Sequence, residues 1–249
     1  MKKIRIFFSS IDPCVSEVSA QCDGPETQVD FSQMEAHYKN ANPNVLQRVQ
    51  EIRTYWETEG KRLLFTPKAR ITLMQRKTAV QICGQDILDR DERIERVAAL
   101  VWSIGDALEI KSVEWMQQKK NMKGLLLDVT GSLCLYAMHS TLLDWIEKHI
   151  ASPIGLSVIE EYYPGVDGCN SGIIGKIQEI CKTEQWIGVR PYGEGMLYPK
   201  KSQCSVIMLG KGNPKPIKRY TPCNPCPKLC CLYRQLGGCH MNLTENIED

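Results

Sequence analysis

The sequence predicts a mixed α/β fold followed by an irregular tail. Three observations predict it. Apolar runs of strand length recur between residues 68 and 209, and two segments, 42–59 and 122–149, carry apolar residues at helical spacing or on nearly every face. From Lys211 onward, proline and lysine replace the apolar pattern. The content of 43% apolar and 24% charged residues is that of an ordinary globular protein.

The first third of the chain predicts two strands and one helix after a short N-terminal strand. KIRIFF near the start is of strand length, and the following CVSEVSAQCDGPETQVD shows no period and predicts a loop. In the helix at 42–59, Asn42 can cap the first turn and Pro43 suits its first position. ARITLM and ERVAALVWSIG are the two strand runs. The apolar stripe of the helix is Val45, Val49, Ile52 and Trp56.

The middle of the chain predicts two helices and several short strands. One helix opens at Asp106, and the helix over 122–149 is apolar on nearly every face, which indicates burial inside a domain. Asp128 within it is expected to hydrogen-bond a neighbouring segment. GLSVIEEYY predicts a strand, PGVDGCN a tight turn, and Ser171 the start of a short helix in which Cys181 is core. WIGVRPY, GMLYP and SQCSVIMLG look like strands.

We divide the chain into three parts. Residues 1–60 form an N-terminal strand, loop and helix, residues 61–212 form the core, and residues 213–249 form a cysteine-rich tail. The basic run KGNPKPIKR at 211–219 is interpreted as a solvated linker, with a docking strip for an acidic partner as the alternative.

Charge and hydropathy exclude several classes of function. With 31 basic and 29 acidic residues, the net charge of +2 gives no electrostatic footprint for nucleic acid. We expect no membrane span, because no stretch approaches about 18 apolar residues. We also expect a cytoplasmic protein, because the apolar run in MKKIRIFFSS is too short for a secretory signal. The sequence has no Gly-rich phosphate loop, nucleophile elbow or paired-histidine zinc motif.

The tail holds five of the twelve cysteines within the stretch CNPCPKLCCLYRQLGGC. In a reducing cytosol such a cluster favours a metal over disulfides. The spacing of the first three cysteines, in a proline-rich turn that cannot be helical, is typical of loops that hold an iron–sulfur cluster, here of the 4Fe–4S type. Zinc is the alternative metal, and either of the last two cysteines can be the fourth ligand. The candidate ligands are Cys223, Cys226, Cys230, Cys231 and Cys239.

Two segments carry a resemblance to a known family. YPGVDGCNSGIIGKIQEICKTEQWIGV and GMLYPKKSQCSVIMLGKG give a PG turn, a short helix, an IGV strand, and a hairpin that leads into a serine-containing strand. The upstream segment adds a strand ending in IG, a helix, and a long helix with an LLLD-x-x-GS pattern. Together they resemble the reactivation domain of cobalamin-dependent methionine synthase, over about residues 60–212.

The resemblance implies a fold and a function. The family's fold is an α+β domain with a curved, mixed but largely antiparallel sheet and flanking helices. The family binds S-adenosylmethionine in a shallow groove and docks on a corrinoid-carrying domain, so that inactive cob(II)alamin is reduced and remethylated. It follows that the partners here are a separate corrinoid-carrying methyltransferase and a low-potential electron donor. The sequence itself has no cobalamin-binding DxHxxG pattern.

The sequence departs from the family at its groove signature, an arginine, three residues, then glycine and tyrosine. Gly165 takes the glycine place, Glu161 the arginine place and Val166 the tyrosine place. An arginine can pair with the ligand's carboxylate, whereas a glutamate repels it, so S-adenosylmethionine binding is in question. Glu161 is then expected to be a solvent-facing strand residue. The candidate groove residues are Glu161, Pro164, Gly165, Gly168, Cys169, Pro199, Ser202 and Cys204.

Three of these residues leave alternatives open. Gly165 and Gly168 allow a ligand to approach the backbone closely, or serve a simple strand-to-helix turn. Cys169 near a helix start is either a redox-active thiol or cofactor ligand, or a small buried residue like Cys204.

The function that combines core and tail is reductive reactivation of a corrinoid methyltransferase, with the tail's iron–sulfur cluster as electron relay. The main alternative is a docking module that binds S-adenosylmethionine or a corrinoid and carries a structural zinc knot without redox activity. A methyltransferase that uses S-adenosylmethionine is a third possibility. The sequence leaves open whether the protein is itself an enzyme.

Overall fold

A five-stranded antiparallel sheet, in the order β1-β2-β3-β7-β4, forms the centre of the protein. The computed structural model describes residues 17–23, 29, 31–38, 43–164, 171–193 and 195–212. A separate two-stranded ribbon pairs β5 with β6. The strands are β1 Glu17–Asp23, β2 Lys68–Gln75, β3 Ile94–Ser103, β4 Ser157–Tyr162, β5 Arg190–Pro191, β6 Leu197–Tyr198 and β7 Ser202–Gly210.

Helices cover both faces of this sheet, which confirms the predicted α/β architecture with flanking helices. Their bounds are α1 Phe31–Tyr38, α2 Pro43–Tyr55, α3 Lys61–Leu64, α4 Arg76–Cys83, α5 Gln85–Leu88, α6 Ala107–Gln117, α7 Asn121–Ile146, α8 Ile173–Cys181 and α9 Thr183–Ile187. Short π-helical turns, Trp56–Gly60 and Glu147–Ala151, extend α2 and α7, and a 3-10 turn, Ser152–Ile154, follows the second.

The alternation of side chains along each strand creates two separate cores. On β3, Leu100 and Trp102 face the core shared with α1, α2, α3, α6 and α7. The neighbouring Ala99 and Val101 face the core shared with α4, α5, α8 and α9. The apolar stripe predicted for α2 points into the first of these cores through Val49, Ile52 and Trp56, with Val45 packed partly buried against it. Because both faces of the sheet are buried, its central strands are almost continuously apolar.

Helix α7 is the largest element of the first core. Sixteen of its 26 residues are buried, as its all-round apolar sequence predicted. The stretch Asn121–Ile154 is long and apolar enough to cross a membrane by composition alone, yet 67% of its most hydropathic window is buried in the protein. Its apolar surface is therefore used for packing against α6 and the sheet.

Two local predictions from the sequence are wrong, and one helical stretch was not predicted. The segment expected to be a loop contains β1, whose backbone pairs in register with β2. Residues 76–88, for which no element was expected, form α4 and α5. Trp186 and Ile187, expected in a strand, end the short helix α9. In each case pairing or packing with distant segments outweighs a weak local pattern. KIRIFF and residues 165–170 of the PGVDGCN turn lie outside the described residues, as does the whole tail, residues 213–249.

Two glycines in helices make a matched test of the packing of α6 on α7. A Cβ at Gly124 in α7 would lie 2.7 Å from the backbone oxygen of Ser112 in α6, whereas a Cβ at Gly175 in α8 would meet nothing within 4 Å. We expect Gly124→Ala to destabilise the protein by about 1–3 kcal/mol through overpacking. Gly175→Ala should stabilise it by about 0.5–1 kcal/mol, because alanine restricts the unfolded chain. Urea unfolding measures the free energy of unfolding of both variants. Equal changes in the two would contradict the close contact between α6 and α7.

Candidate functional site

A cleft of about 350 Å³ opens where β7 begins. This lies at the small end of the range of about 300–1,000 Å³ that is usual for small-molecule sites. Its walls are mainly aromatic and aliphatic, with a few polar groups. The lining residues are Tyr163, Pro164, Ile174, Tyr192, Gly195, Met196, Leu197, Lys200, Ser202, Gln203 and Cys204.

The cleft is built from three parts of the chain that the sheet topology brings together. β4 ends beside the start of β7, so that Tyr163 and Pro164 stand next to Ser202 and Cys204. Ile174 in the first turn of α8 forms another wall. The β5–β6 ribbon supplies Tyr192, Met196 and Leu197. Its tip is described except for residue 194, and its backbone is held by a hydrogen bond from Tyr192 N to Met196 O of 2.9 Å.

Hydrogen bonds fix the start of β7 against the end of β3. Ser202 Oγ donates to Ser103 Oγ at 2.8 Å, and Ile104 N donates to the backbone oxygen of Lys201 at 3.1 Å. Ser103 Oγ in turn accepts from Gly105 N at 3.1 Å. The Ser202 hydroxyl predicted for the groove is therefore engaged in holding two strands together.

The ribbon is tied to α6 by two polar contacts. Tyr198 Oη donates to Asp106 Oδ2 at 3.1 Å, and this bond to a carboxylate raises the pKa of the Tyr198 hydroxyl. Lys200 Nζ forms an ion pair with Glu109 Oε1 at 2.6 Å, and its side chain is 66% exposed. Arg190 lies over the Tyr198 ring at 5.1 Å. These contacts place Lys200 at the mouth of the cleft with its charge already paired.

A buried polar cluster lies behind the cleft. His139 Nε2 is 2.8 Å from Glu161 Oε1, and Tyr163 Oη donates to Glu161 Oε2 at 3.2 Å. The side chains of His139 and Glu161 are only 7% and 4% exposed. The imidazole stacks on Trp102 with ring centroids 4.8 Å apart. An ionised carboxylate can only accept hydrogen bonds, so in this pair His139 Nε2 is the donor and Glu161 the acceptor.

The phenol of Tyr163 connects this cluster to the cleft. Tyr163 is one of the residues that line the cleft, but its side chain packs in the first core, where its hydroxyl lies 3.1 Å from His139 Nε2. Burial, followed by the negative charge of Glu161, raises the pKa of this hydroxyl far above its ordinary value. Tyr163 therefore stays protonated and acts in this structure as a hydrogen-bond donor to Glu161.

A second polar cluster lies along the same face of α7. Lys201 Nζ donates to Asp128 Oδ2 at 3.0 Å and to Ser132 Oγ at 2.9 Å. This confirms that Asp128 bonds a neighbouring segment. Asp128, Ser132 and His139 are spaced by four and seven residues, which places them on one side of a helix. That spacing is visible in the sequence and is the signal by which sequence reasoning could have found both clusters.

The structure brings together some of the predicted groove residues and separates others. Pro164, Ser202 and Cys204 line the cleft. Pro199 follows a cis peptide bond in the ribbon and is not part of the lining. Gly165, Gly168 and Cys169 lie outside the described residues, as do the five tail cysteines. Sequence reasoning missed the Tyr163, Tyr192 and Met196 walls and the polar Gln203.

The expectation that Glu161 faces solvent is wrong. The bulge in the pairing of β4 with β7 leaves Glu161 opposite Ile207, on the face that packs against α7. There it meets His139, and a carboxylate without such partners would be costly to bury. Glu161 also does not line the cleft, so its charge does not face a ligand directly.

No group of three or more histidine, cysteine or carboxylate side chains able to hold a metal occurs among the described residues. The thiols of Cys83, Cys134, Cys181 and Cys204 are buried, with Cys181 in the core as predicted. Burial raises the pKa of Cys134 well above its ordinary value, which makes its thiol unreactive.

The comparison with solved structures identifies a similar fold. The chain resembles the MetH reactivation domain in its crystal structure bound to AdoHcy, with a TM-score of 0.60 and 10% sequence identity. The match covers 80% of each chain. No family model and no curated protein matches the sequence. At this identity the likeness shows the fold, and it agrees with the predicted sheet and flanking helices.

The buried cluster gives a prediction about stability. Glu161→Leu removes the carboxylate that both His139 and Tyr163 contact, so we expect a loss of about 1–3 kcal/mol in the free energy of unfolding. Glu184→Gln, which alters an exposed carboxylate in α9, should change it by less than about 0.5 kcal/mol.

Urea unfolding of these variants together with His139→Phe and the double variant tests this pairing. If the pair is real, the double variant will lose less than the sum of the two single losses, because the unsatisfied groups are removed together. Additive losses would show that Glu161 and His139 do not interact.

Proposed function

We propose that the protein is a reactivation module for a corrinoid methyltransferase, with its cleft facing the corrinoid or a methyl donor. The observation that carries the proposal is the cleft between the ends of β4 and β7, in a fold like that of the MetH reactivation domain. The partner is a separate corrinoid-carrying methyltransferase, which a low-potential donor keeps reduced.

The chemistry of the cleft supports a flat and largely apolar ligand. Tyr192 and Met196, which are 52% and 55% exposed, offer a ring face and a polarisable thioether, which pack well on planar groups. The neighbouring fold is described as bound to AdoHcy, so an S-adenosyl ligand is one candidate for this chain. The corrinoid of the partner is the other.

This cleft differs from the groove of the resembling family at the position expected to bind the ligand's carboxylate. Glu161 stands where the resembling family has arginine, and it is directed into the core against His139. S-adenosylmethionine would therefore not find its amino-acid half anchored from this position. We infer that catalysis of methyl transfer by this domain alone is the weaker hypothesis.

We further propose that the tail holds a 4Fe–4S cluster through four of Cys223, Cys226, Cys230, Cys231 and Cys239. The chemistry that such a cluster supplies is one-electron transfer at a potential set by its surroundings. Residues 213–222 precede the first of these cysteines. Ten residues span at most about 36 Å, and the nine-residue β7 spans about 30 Å. The chain is thus long enough for the cluster to reach the cleft from the far end of β7.

The competing proposal is a docking module with a structural zinc knot and no redox activity. The same cysteines serve both proposals, because thiolates bind zinc as well as iron. Cytoplasmic location, with its reduced thiols, suits both.

The metal of the tail decides between these two proposals. We expect protein purified without oxygen to contain about four irons and four acid-labile sulfides per chain and to bleach with dithionite. The paired change Cys223→Ser and Cys226→Ser should abolish both, whereas Cys83→Ser, at a buried cysteine in α4, should leave them unchanged. One zinc per chain without iron would rule out the electron relay.

Binding of a corrinoid tests the reactivation module itself. We expect cob(II)inamide, a corrinoid without the nucleotide loop, to bind the full-length protein, with a change in its electron paramagnetic resonance spectrum. Met196→Asp, at a 55% exposed wall residue, should weaken binding, and Met122→Asp, at a 41% exposed residue of α7, should not. A spectrum unchanged by the protein at millimolar concentration would contradict the module's docking on a corrinoid.

A further inference from the structure

Arg70 is a buried cation that forms no ion pair within the described part of the chain. It lies in β2 and is 9% exposed. Its neighbours across the sheet are Gln21 of β1 and Val101 of β3, neither of which carries a charge. By contrast, the buried Lys201 has Asp128 as an ion-pair partner at 3.0 Å. Burial lowers the pKa of the Arg70 guanidinium, and no carboxylate of the described residues offsets this cost.

Two contacts hold the guanidinium of Arg70 in place. Nε donates to the backbone oxygen of Cys181, the last residue of α8, at 3.2 Å. The guanidinium carbon lies 4.8 Å from the centroid of the Trp186 ring. The C-terminal carbonyl of a helix and the face of an indole both stabilise a positive charge. Because Nε alone is hydrogen-bonded, Nη1 and Nη2 are left without an acceptor in the described residues.

The two unbonded nitrogens of Arg70 reach the surface beside Trp186. Neither is among the buried side-chain atoms that lack a hydrogen bond in the described residues, so both retain accessible surface. Trp186 is itself 45% exposed. Tryptophan and arginine are among the residue types that most often carry the binding energy of protein interfaces. The pair therefore combines an unpaired charge with an exposed aromatic ring at one place on the surface.

We propose that Arg70 and Trp186 form a docking site for the carboxylate of an acidic side chain on a protein partner. Nη1 and Nη2 can donate side by side to the two carboxylate oxygens, which is the paired geometry that arginine favours. The Trp186 ring can pack against the methylene groups of the same side chain. The site is separate from the cleft, whose lining includes neither residue, so the inference goes beyond the proposed function.

A carboxylate fits these surroundings better than a phosphate. Arg70 supplies a single positive charge, whereas a phosphate group near neutral pH carries close to two negative charges. The helix end in contact with Arg70 is the C-terminus of α8, whose partial negative charge opposes a dianion. Phosphate sites commonly use a helix N-terminus instead.

The position of the site favours a side chain of a larger partner over a small free anion. An ion pair open to solvent is weak by itself, whereas a side chain gains affinity when the surface around it is buried with it. Ile174 in the first turn of α8 lines the cleft, and Cys181 ends the same helix. These residues are separated by about 10 Å along the helix axis. A protein that covers the cleft can therefore also reach Arg70.

Titration of the full-length protein with N-acetylglutamate α-methylamide tests the site, with tryptophan fluorescence as the readout. This probe carries one carboxylate on a peptide-like backbone, and sodium chloride holds the ionic strength constant. We expect millimolar binding to the wild type, and binding at least about tenfold weaker for the glutamine analogue, which cannot make charge-assisted hydrogen bonds. Acetate should also bind more weakly, because it lacks the methylene groups that contact Trp186. Trp186→Phe should remove the fluorescence change.

Arg70→Met removes the guanidinium and keeps an apolar side chain that fills the site. It should weaken binding of the glutamate probe at least about tenfold. Arg190→Met is the matched control, because Arg190 also lies over an aromatic ring, 5.1 Å from that of Tyr198, but is exposed. This variant should bind the probe as the wild type does. If Arg70→Met does not fold, Arg70→Lys, which keeps the charge but not the paired nitrogens, should weaken binding severalfold.

The alternative role of Arg70 is to cap α8 and nothing more. A lower melting temperature of the Arg70 variant with unchanged affinity for the glutamate probe would show that role and overturn the inference. Equal binding of the glutamate and glutamine probes, or a fluorescence change that persists in Trp186→Phe, would overturn it as well. Tighter binding of inorganic phosphate than of the glutamate probe would contradict a carboxylate site, and acetate binding as tightly as the probe would contradict a side-chain ligand. The cob(II)inamide titration tests the cleft separately, since neither residue lines it.

Discussion

The burial of α7 between the sheet and α6 is the constraint on which the rest of this structure depends. A helix that is apolar on nearly every side must be covered on nearly every side, so five helices and one face of the sheet share its core. Any polar group on its sheet-facing side must then find a partner there. His139 finds Glu161, and Asp128 finds Lys201. These pairs cross from α7 to β4 and to the residue before β7, and both segments border the cleft.

The position of Glu161 illustrates how a single residue can alter both a core and a binding site. The resembling family has an arginine there, which would direct a positive charge toward a ligand. In this chain the carboxylate is directed inward, where Tyr163 and His139 supply the hydrogen bonds that burial demands. The Glu161 carboxylate therefore contributes hydrogen bonds beneath the cleft and no charge within its lining.

The parts of the fold that the sequence predicted have patterns set by local periodicity. The apolar stripe of α2, the all-round apolar α7 and the run that became β7 could be read directly. The strand β1 could not be, because its pairing with β2 depends on a partner 51 residues away at Ala20 and Ile71. In the site, Pro164 and Cys204 were predicted through the resemblance, whereas the walls at Tyr192 and Met196 come from a ribbon whose approach to β7 has no local signal.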